Sequence, residues 1–173
     1  MQNLLSYLNE FLLFRNFIEV IGGLDNTLLL LVISLPIGFV LSLIFALGRV
    51  SQNKFISKPL ASYIFVIRGT PLLVQIYLIY FGLGSIEFIR ESFLWYLLRE
   101  PFWCGVLALT INTVAYGSEI FRGGIQSVTK GQIESGLSLG FNKIDLLRKI
   151  IFPIALRKVL PSYGNELILM VKA

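Results

Sequence analysis

Apolar positions along this chain gather into long runs separated by shorter polar stretches. Three runs, Thr27–Leu47, Pro59–Phe81 and Pro101–Ile120, each come close to the ~20 residues a helix needs to cross the hydrocarbon of a bilayer. A fourth begins near Val159 and reaches Ala173, about 15 residues on and short of a comfortable crossing. The pattern predicts an all-α polytopic membrane helix bundle, one transmembrane domain over residues 1–173, with four spans visible and the last incomplete. The first run starts well inside the chain with no basic residue close before it. Its apolar part is longer than the core of a signal peptide, so it reads as a retained anchor.

Between the third and fourth runs the pattern changes. Residues 129–153, TKGQIESGLSLGFNKIDLLRKIIFP, are too polar to cross a bilayer. Thr129 followed by Gln132 fits a capping box, which starts a helix near Lys130. Gly140 is placed to end that helix in a left-handed conformation. Asn142 with Asp145 marks a second N-cap, opening a helix through about Ile151, and Pro153 then forbids simple continuation. The expectation is two short helices at an angle, with Phe141 exposed at the corner. Glu134 lies in the first helix beside Ser135 and Gly136, which leave the surface there nearly bare. Two readings stand: a knob that docks in a partner's groove through a buried aromatic anchor, or an amphipathic segment lying on the membrane.

Composition agrees with the span pattern. The chain has 173 residues, 55% hydrophobic and 14% charged, against roughly 25% charged in an average soluble domain. A soluble protein of this size could not hide so much apolar surface. There is no histidine and one cysteine, Cys104. That removes the usual general base, a thiol–imidazole dyad and His/Cys zinc sites, and excludes an internal disulfide framework. No GxxxxGK[ST] phosphate loop is present, so the chain does not bind ATP by that route.

Charge sets the expected direction. The loop Gly48–Lys58 and the segment Arg122–Lys158 together hold ten Lys/Arg, whereas Met1–Asn26 and Gly82–Glu100 hold three. Basic loops stay in the cytoplasm, which puts the N-terminus outside. Within the first run Ser34, Gly38, Ser42 and Ala46 recur at every fourth position. Small residues so spaced let another helix approach closely, whether at a dimer or pathway surface or in ordinary packing.

Several stretches now carry a resemblance. Glu134-Ser135-Gly136, Gly140, Ile150 and Pro153 match the spacing of the EAA motif, E-A-A-x3-G-x9-I-x-L-P, of ABC-transporter permease subunits. RGTPLLVQ at 68–75, AYGSEIFRGGI at 115–125, KGQ at 130–132 and LPSYGNELI at 160–168 are similar to the polar-amino-acid (histidine/glutamine-type) permeases. The matches run in consistent order over about residues 25–172. The resemblance implies that residues 122–158 form a cytoplasmic coupling loop docking on an ATPase subunit through Glu134, Ser135, Gly136, Gly140, Phe141, Ile150 and Pro153. Departures are the family's alanines, which are Ser135 and Gly136 here, Phe152 before the proline and Ile154 after it. Ala173 stands where an aspartate is usual and the family's fifth span is absent, so the sequence reads as truncated.

Polar residues inside the spans supply a second candidate set. Arg68 falls near the middle of the second run, where charge is expensive, and Gly69-Thr70-Pro71 should break the helix there and free backbone groups. Broken helices at mid-membrane build substrate sites in transporters, and a guanidinium can hold a carboxylate in a bidentate way. Other readings are an arginine nearer the interface or one paired with Glu119. Asn112, Tyr116 and Glu119 lie on one helical face, where a polar stripe turns from lipid. Glu119 is also three residues from Arg122, a spacing suited to local pairing. Asn165 and Glu166 are similar candidates in the fourth run, and Thr70 and Gln75 complete the pathway set.

The resemblance thus implies the membrane-spanning subunit of a bacterial ABC importer for polar amino acids, multi-pass in the inner membrane. Its expected partners are two ATPase subunits that bind ATP and magnesium, a second permease copy or similar permease, an extracytoplasmic binding protein and membrane lipid, with no nucleic acid. The chain itself would hold no cofactor or metal and catalyse no covalent step. The rival readings are a membrane enzyme, or a non-transporting scaffold or channel with a cytoplasmic docking loop.

Overall fold

In the computed structural model the backbone is described from Gln2 to Lys172 and the side chains from Gly22 to Val171. All regular structure among these residues is helical. Helix α1 spans Gln2–Val50, and Asn53 then caps α2 (Lys54–Arg68), its Oδ1 accepting from Phe55 N–H at 3.0 Å. Helix α3 (Leu72–Tyr77) follows and widens into a π-helical turn at Leu78–Gly82. Two single turns, α4 (Glu87–Arg90) and α5 (Trp95–Leu98), lead to α6 (Pro101–Gln126), which opens with its proline in the first turn. Helices α7 (Lys130–Ser138) and α8 (Lys143–Leu146) form an elbow. A second π-helical turn, Leu147–Ile151, runs straight into α9 (Phe152–Lys172).

Among the described residues, two helices are long and apolar enough to cross a membrane, Gly22–Val50 and Pro101–Gln126. The second apolar run is not one straight crossing. Helices α2 and α3 meet at a bend of 105° over Gly69–Pro71, because Pro71 has no N–H to continue the ladder and the residue before a proline is pushed out of the helical region. The fourth run also differs from expectation. Its helix begins at Phe152 rather than Val159, and α9 is not among those that meet the length and composition needed to span. Pro153 does not stop the chain: the preceding turn is π-type, Phe152 N–H reaching back to Leu147 O. The wider turn relieves the clash a proline ring makes with the carbonyl four residues back.

Helix α6 is the centre of the bundle. The stripe Ser34, Gly38, Ser42 and Ala46 is buried against it, which settles that stripe as internal packing. A Cβ on Gly38 would stand 2.6 Å from Thr113 Cβ, and one on Gly117 would strike Ser42 Oγ. The Ser42 hydroxyl lies within hydrogen-bond distance of Gly38 O (2.7 Å) and Thr113 O (3.1 Å), so the close approach leaves no polar group stranded. On the opposite side Gly124 admits Val159 and Ala155 of α9. Phe39, Phe121 and Tyr163 meet between the three helices, with ring centroids 5.3–5.6 Å apart. Tyr63 Oη donates to Ile111 O at 2.7 Å and ties α2 to the same centre.

Candidate functional site

The polar stripe of α6 is met at three levels by residues from elsewhere in the chain. At the first, Asn112 is buried and its Nδ2 donates to Gln75 Oε1 at 3.2 Å. Gln75, only 5% exposed, turns its Nε2 to Ile67 O (2.8 Å), Thr70 O (3.0 Å) and Thr70 Oγ1 (3.0 Å). Two of these are backbone carbonyls at the 105° break: Ile67 O also accepts from Thr70 N–H (3.3 Å) and Oγ1 (3.2 Å), whereas Thr70 O, just ahead of Pro71, is held by Gln75. In a medium without water the Thr70 carbonyl would otherwise stand unsatisfied at a cost of several kcal/mol. Gln75 is therefore bonded inward, to the break itself.

At the second level Tyr116 lies under Arg68, the guanidinium carbon 5.1 Å from the ring centroid. Stacking on an aromatic face suits a planar, weakly hydrated cation. Arg68 closes α2 and is exposed; among the described residues it has no carboxylate partner. The alternative that paired it with Glu119 is not what the structure holds. At the third level Glu119 receives Arg122 Nη2 at 2.6 Å and Nε at 2.9 Å, and Arg49 Nε at 3.4 Å. Arg49 in turn donates from Nη1 to Ser57 O and Oγ at 3.3 and 3.1 Å. This cluster binds the α1–α2 turn to the end of α6. Arg49 was not legible as a partner of Glu119, because the contact joins positions far apart in sequence.

Two adjoining hollows share Tyr116. One, about 580 Å³, is lined by Arg49, Phe65, Arg68, Tyr116 and Glu119 among others. The other, about 220 Å³, is lined by Thr70, Asn112, Tyr116, Glu166 and Met170 among others. The break and the α6 stripe thus bring together Arg68, Thr70, Asn112, Tyr116, Glu119 and Glu166. Asn165 is exposed and lines neither. Glu166 is half-buried and has no ion-pair partner among the described residues. With Glu119 and Arg49 paired to each other, the first hollow presents the Arg68 guanidinium and the second the Glu166 carboxylate, and Tyr116 lines both.

The elbow is built as its caps dictate. Thr129 and Gln132 form the reciprocal capping box, Thr129 N–H donating to Gln132 Oε1 at 3.1 Å. Gly140 has φ +78°, the only positive φ among the described residues. Its N–H reaches Leu137 O at 2.9 Å while Phe141 N–H reaches Gly136 O at 3.1 Å, the paired bonds of a Schellman ending. Asn142 Oδ1 accepts from Ile144 and Asp145 N–H, both at 2.9 Å.

Two expectations are corrected. Phe141 is half-buried rather than exposed, because Lys149 Nζ covers its ring at 4.9 Å and its edge turns toward Gly136. Gly136 itself is buried: a Cβ there would stand 2.5 Å from Ile150 Cδ1 and 2.9 Å from Leu146 Cδ1. The bare patch is the seat of the following helix. Glu134 and Ser135 remain exposed beside it, as does Pro153 beyond the π-turn.

Comparison with known proteins agrees with this architecture. Residues 38–173 match the family described as binding-protein-dependent transport system inner membrane component. The chain is 47% identical over 161 residues to the octopine transport system permease protein OccM of Rhizobium radiobacter, covering 93% of this chain and 66% of that one. It therefore spans just under two thirds of that relative's length. Over 149 residues it is 47% identical to the histidine/lysine/arginine/ornithine transport system permease protein HisM of Escherichia coli strain K12, 86% of this chain and 63% of that one. A crystal structure of an amino acid ABC transporter with histidines superposes with a TM-score of 0.77 at 41% identity, over 92% of this chain and 71% of that one. With its central helix, broken helix pair and capped elbow all inside the matched region, this chain belongs to the family of binding-protein-dependent transport system inner membrane components.

Proposed function

We infer that this chain is the membrane-spanning permease subunit of an ABC importer for amino acids, with substrates that carry a positive charge beside the α-carboxylate. The observation that carries this reading is the placing of Arg68 and Glu166 on the two hollows that share Tyr116, both without an ion-pair partner among the described residues. A substrate carboxylate suits the Arg68 fork, and an ammonium or guanidinium suits Glu166. Charged groups in a membrane domain are retained where they meet a pathway or each other. The names of the relatives include histidine, lysine, arginine and ornithine, which supports the same class.

The elbow, through Glu134, Ser135, Gly136, Gly140, Phe141, Ile150 and Pro153, docks on an ATPase subunit that binds ATP and magnesium. The basic segments face the cytoplasm and the N-terminus lies outside. A second permease copy completes the pathway and an external binding protein delivers substrate. The chain itself performs no covalent chemistry. Gln75 and Asn112 act by holding the break in shape rather than by touching substrate.

The test is reconstitution of the full-length subunit with its ATPase and binding protein in liposomes. ATP-dependent uptake of arginine or lysine, well above that of glutamate, is the expected result. Recovery of the subunit without any ATPase, or accumulation indifferent to ATP, would return the reading to a channel or scaffold.

A further inference from the structure

Glu119 divides its two oxygens unequally. Oε2 takes both bonds from Arg122, at 2.6 and 2.9 Å, whereas Oε1 has only Arg49 Nε, at 3.4 Å. Charge-assisted bonds of this kind settle at about 2.7–2.9 Å, so the Arg49 bond is the slack one in the cluster. It can also open without stranding a charge. Glu119 would keep Arg122, and Arg49 would keep Ser57 O and Oγ at 3.3 and 3.1 Å. We propose that Glu119 Oε1 is a second seat for the cationic end of the substrate, taken in exchange for Arg49 on the way from Glu166 toward the α9 side of α6.

The seat rests on the transport reading above and extends it to the step after binding. Arg68 and Glu119 line the same hollow of about 580 Å³, a volume in the range of small-molecule sites. A carboxylate held on the Arg68 fork therefore leaves the cationic end of the molecule two places to go. One is Glu166 in the adjoining hollow and the other is Glu119 Oε1 in this one, with Tyr116 lining both. An incoming guanidinium or ammonium replaces Arg49 charge for charge, so the carboxylate is never left short of a partner; an uncharged side chain offers no such exchange. Glu119 is also the one residue that this hollow shares with a third, about 320 Å³, lined by Gly123, Gly124, Ser127 and Lys158 among others. Apart from Glu119, the charged residue on that lining is Lys158, whose Nζ donates to Ser127 O at 3.2 Å. A cation leaving Glu119 in that direction meets no second carboxylate on the lining to retain it, and Arg49 is at hand to retake Oε1.

The experiment measures equilibrium binding of labelled arginine to the full-length subunit assembled with its ATPase in nanodiscs, without the binding protein. Unlabelled arginine and citrulline serve as competitors, citrulline having nearly the same shape and no side-chain charge. Arg49→Gln removes the competitor for Oε1. It should bind arginine about tenfold more tightly, as a site does when it is relieved of an occupant present about nine-tenths of the time, and leave citrulline unchanged. Adding Glu119→Gln to the same chain should abolish that gain, since groups acting through one contact couple. If Arg49 only ties α1 to α6, its loss brings no gain for arginine, and that outcome would overturn the seat. An equal gain for citrulline, or a gain that survives Glu119→Gln, would overturn it too. Where Arg49→Gln does not assemble, Glu119→Gln alone decides. In complexes that recover the ATPase in wild-type amount, initial arginine uptake into liposomes should fall about tenfold, as loss of one charged contact requires; uptake at the wild-type rate would overturn the seat. A wild-type complex that binds arginine no better than citrulline would instead overturn the substrate class inferred above, and the seat with it.

Discussion

Gly136 lies directly beneath Ile150: a Cβ built on the glycine would stand 2.5 Å from Ile150 Cδ1. These two positions of the motif are therefore one contact, which seats the π-turn on α7. Gly136→Val should destabilise the elbow by about 1–3 kcal/mol, as overpacking does. Gly136→Ala should cost less, because the first atom met is the end of a flexible side chain. Ile150→Ala should partly rescue Gly136→Val, since residues in contact couple. Protease sensitivity of residues 130–151 in the four proteins measures the cycle; strict additivity would deny the contact.

Gly140 tests a different force. Nothing lies within 4 Å of a Cβ placed there, yet its φ is +78°. The cost of a substitution is thus conformational alone, about 1–2 kcal/mol for a residue with a Cβ and more for a β-branched one. Gly140→Asn should be nearly silent. Gly140→Val should insert normally and recover less ATPase partner on purification. Full recovery, with full substrate-stimulated ATP hydrolysis, would reduce the elbow to a linker.

Gln75→Leu keeps bulk but strands the carbonyl of Thr70 and the amide of Asn112. A buried acceptor left without a donor costs about 1–3 kcal/mol, so the variant should melt earlier in detergent. The paired change Gln75→Leu with Asn112→Leu should recover the Asn112 share only. A single variant as stable as the wild type would mean the break is held by other means.

Arg68 and Tyr116 separate charge from stacking. Tyr116→Phe retains the ring and should leave uptake nearly unchanged, whereas Tyr116→Leu should lower it by freeing the guanidinium. Arg68→Lys keeps the charge and loses the fork, so a bidentate substrate contact should suffer from it too. Initial uptake rates against substrate concentration give the answer, and normal transport by Arg68→Ala would remove the arginine from the pathway.

Ser85 and Ser138 report orientation. Both are exposed and each hydroxyl bonds a carbonyl four residues back, so cysteine fits either place alike. An impermeant thiol reagent applied to intact cells should label Ser85→Cys and spare Ser138→Cys; the reverse pattern would invert the topology. The native thiol, Cys104, is buried and should stay silent.

What the sequence by itself determined is whatever local chemistry decides. Thr129, Gln132, Gly140, Asn142 and Asp145 act within a few residues of one another, so the two short helices and the left-handed glycine were legible from spacing. The first and third spans and the break at Gly69-Thr70-Pro71 follow in the same way from hydrophobicity and proline sterics. Tertiary structure alone decided the rest, because those contacts join distant segments and leave no periodic trace. Arg49 reaches Glu119 across 70 positions and Asn112 reaches Gln75 across 37. Phe141 was read as exposed because the cover given by Lys149 and Gly136 depends on how the elbow folds back. Pro153 was read as a stop because a π-turn is not written in side-chain pattern: it is a backbone adjustment, taken up where the ring would otherwise strike the carbonyl behind it.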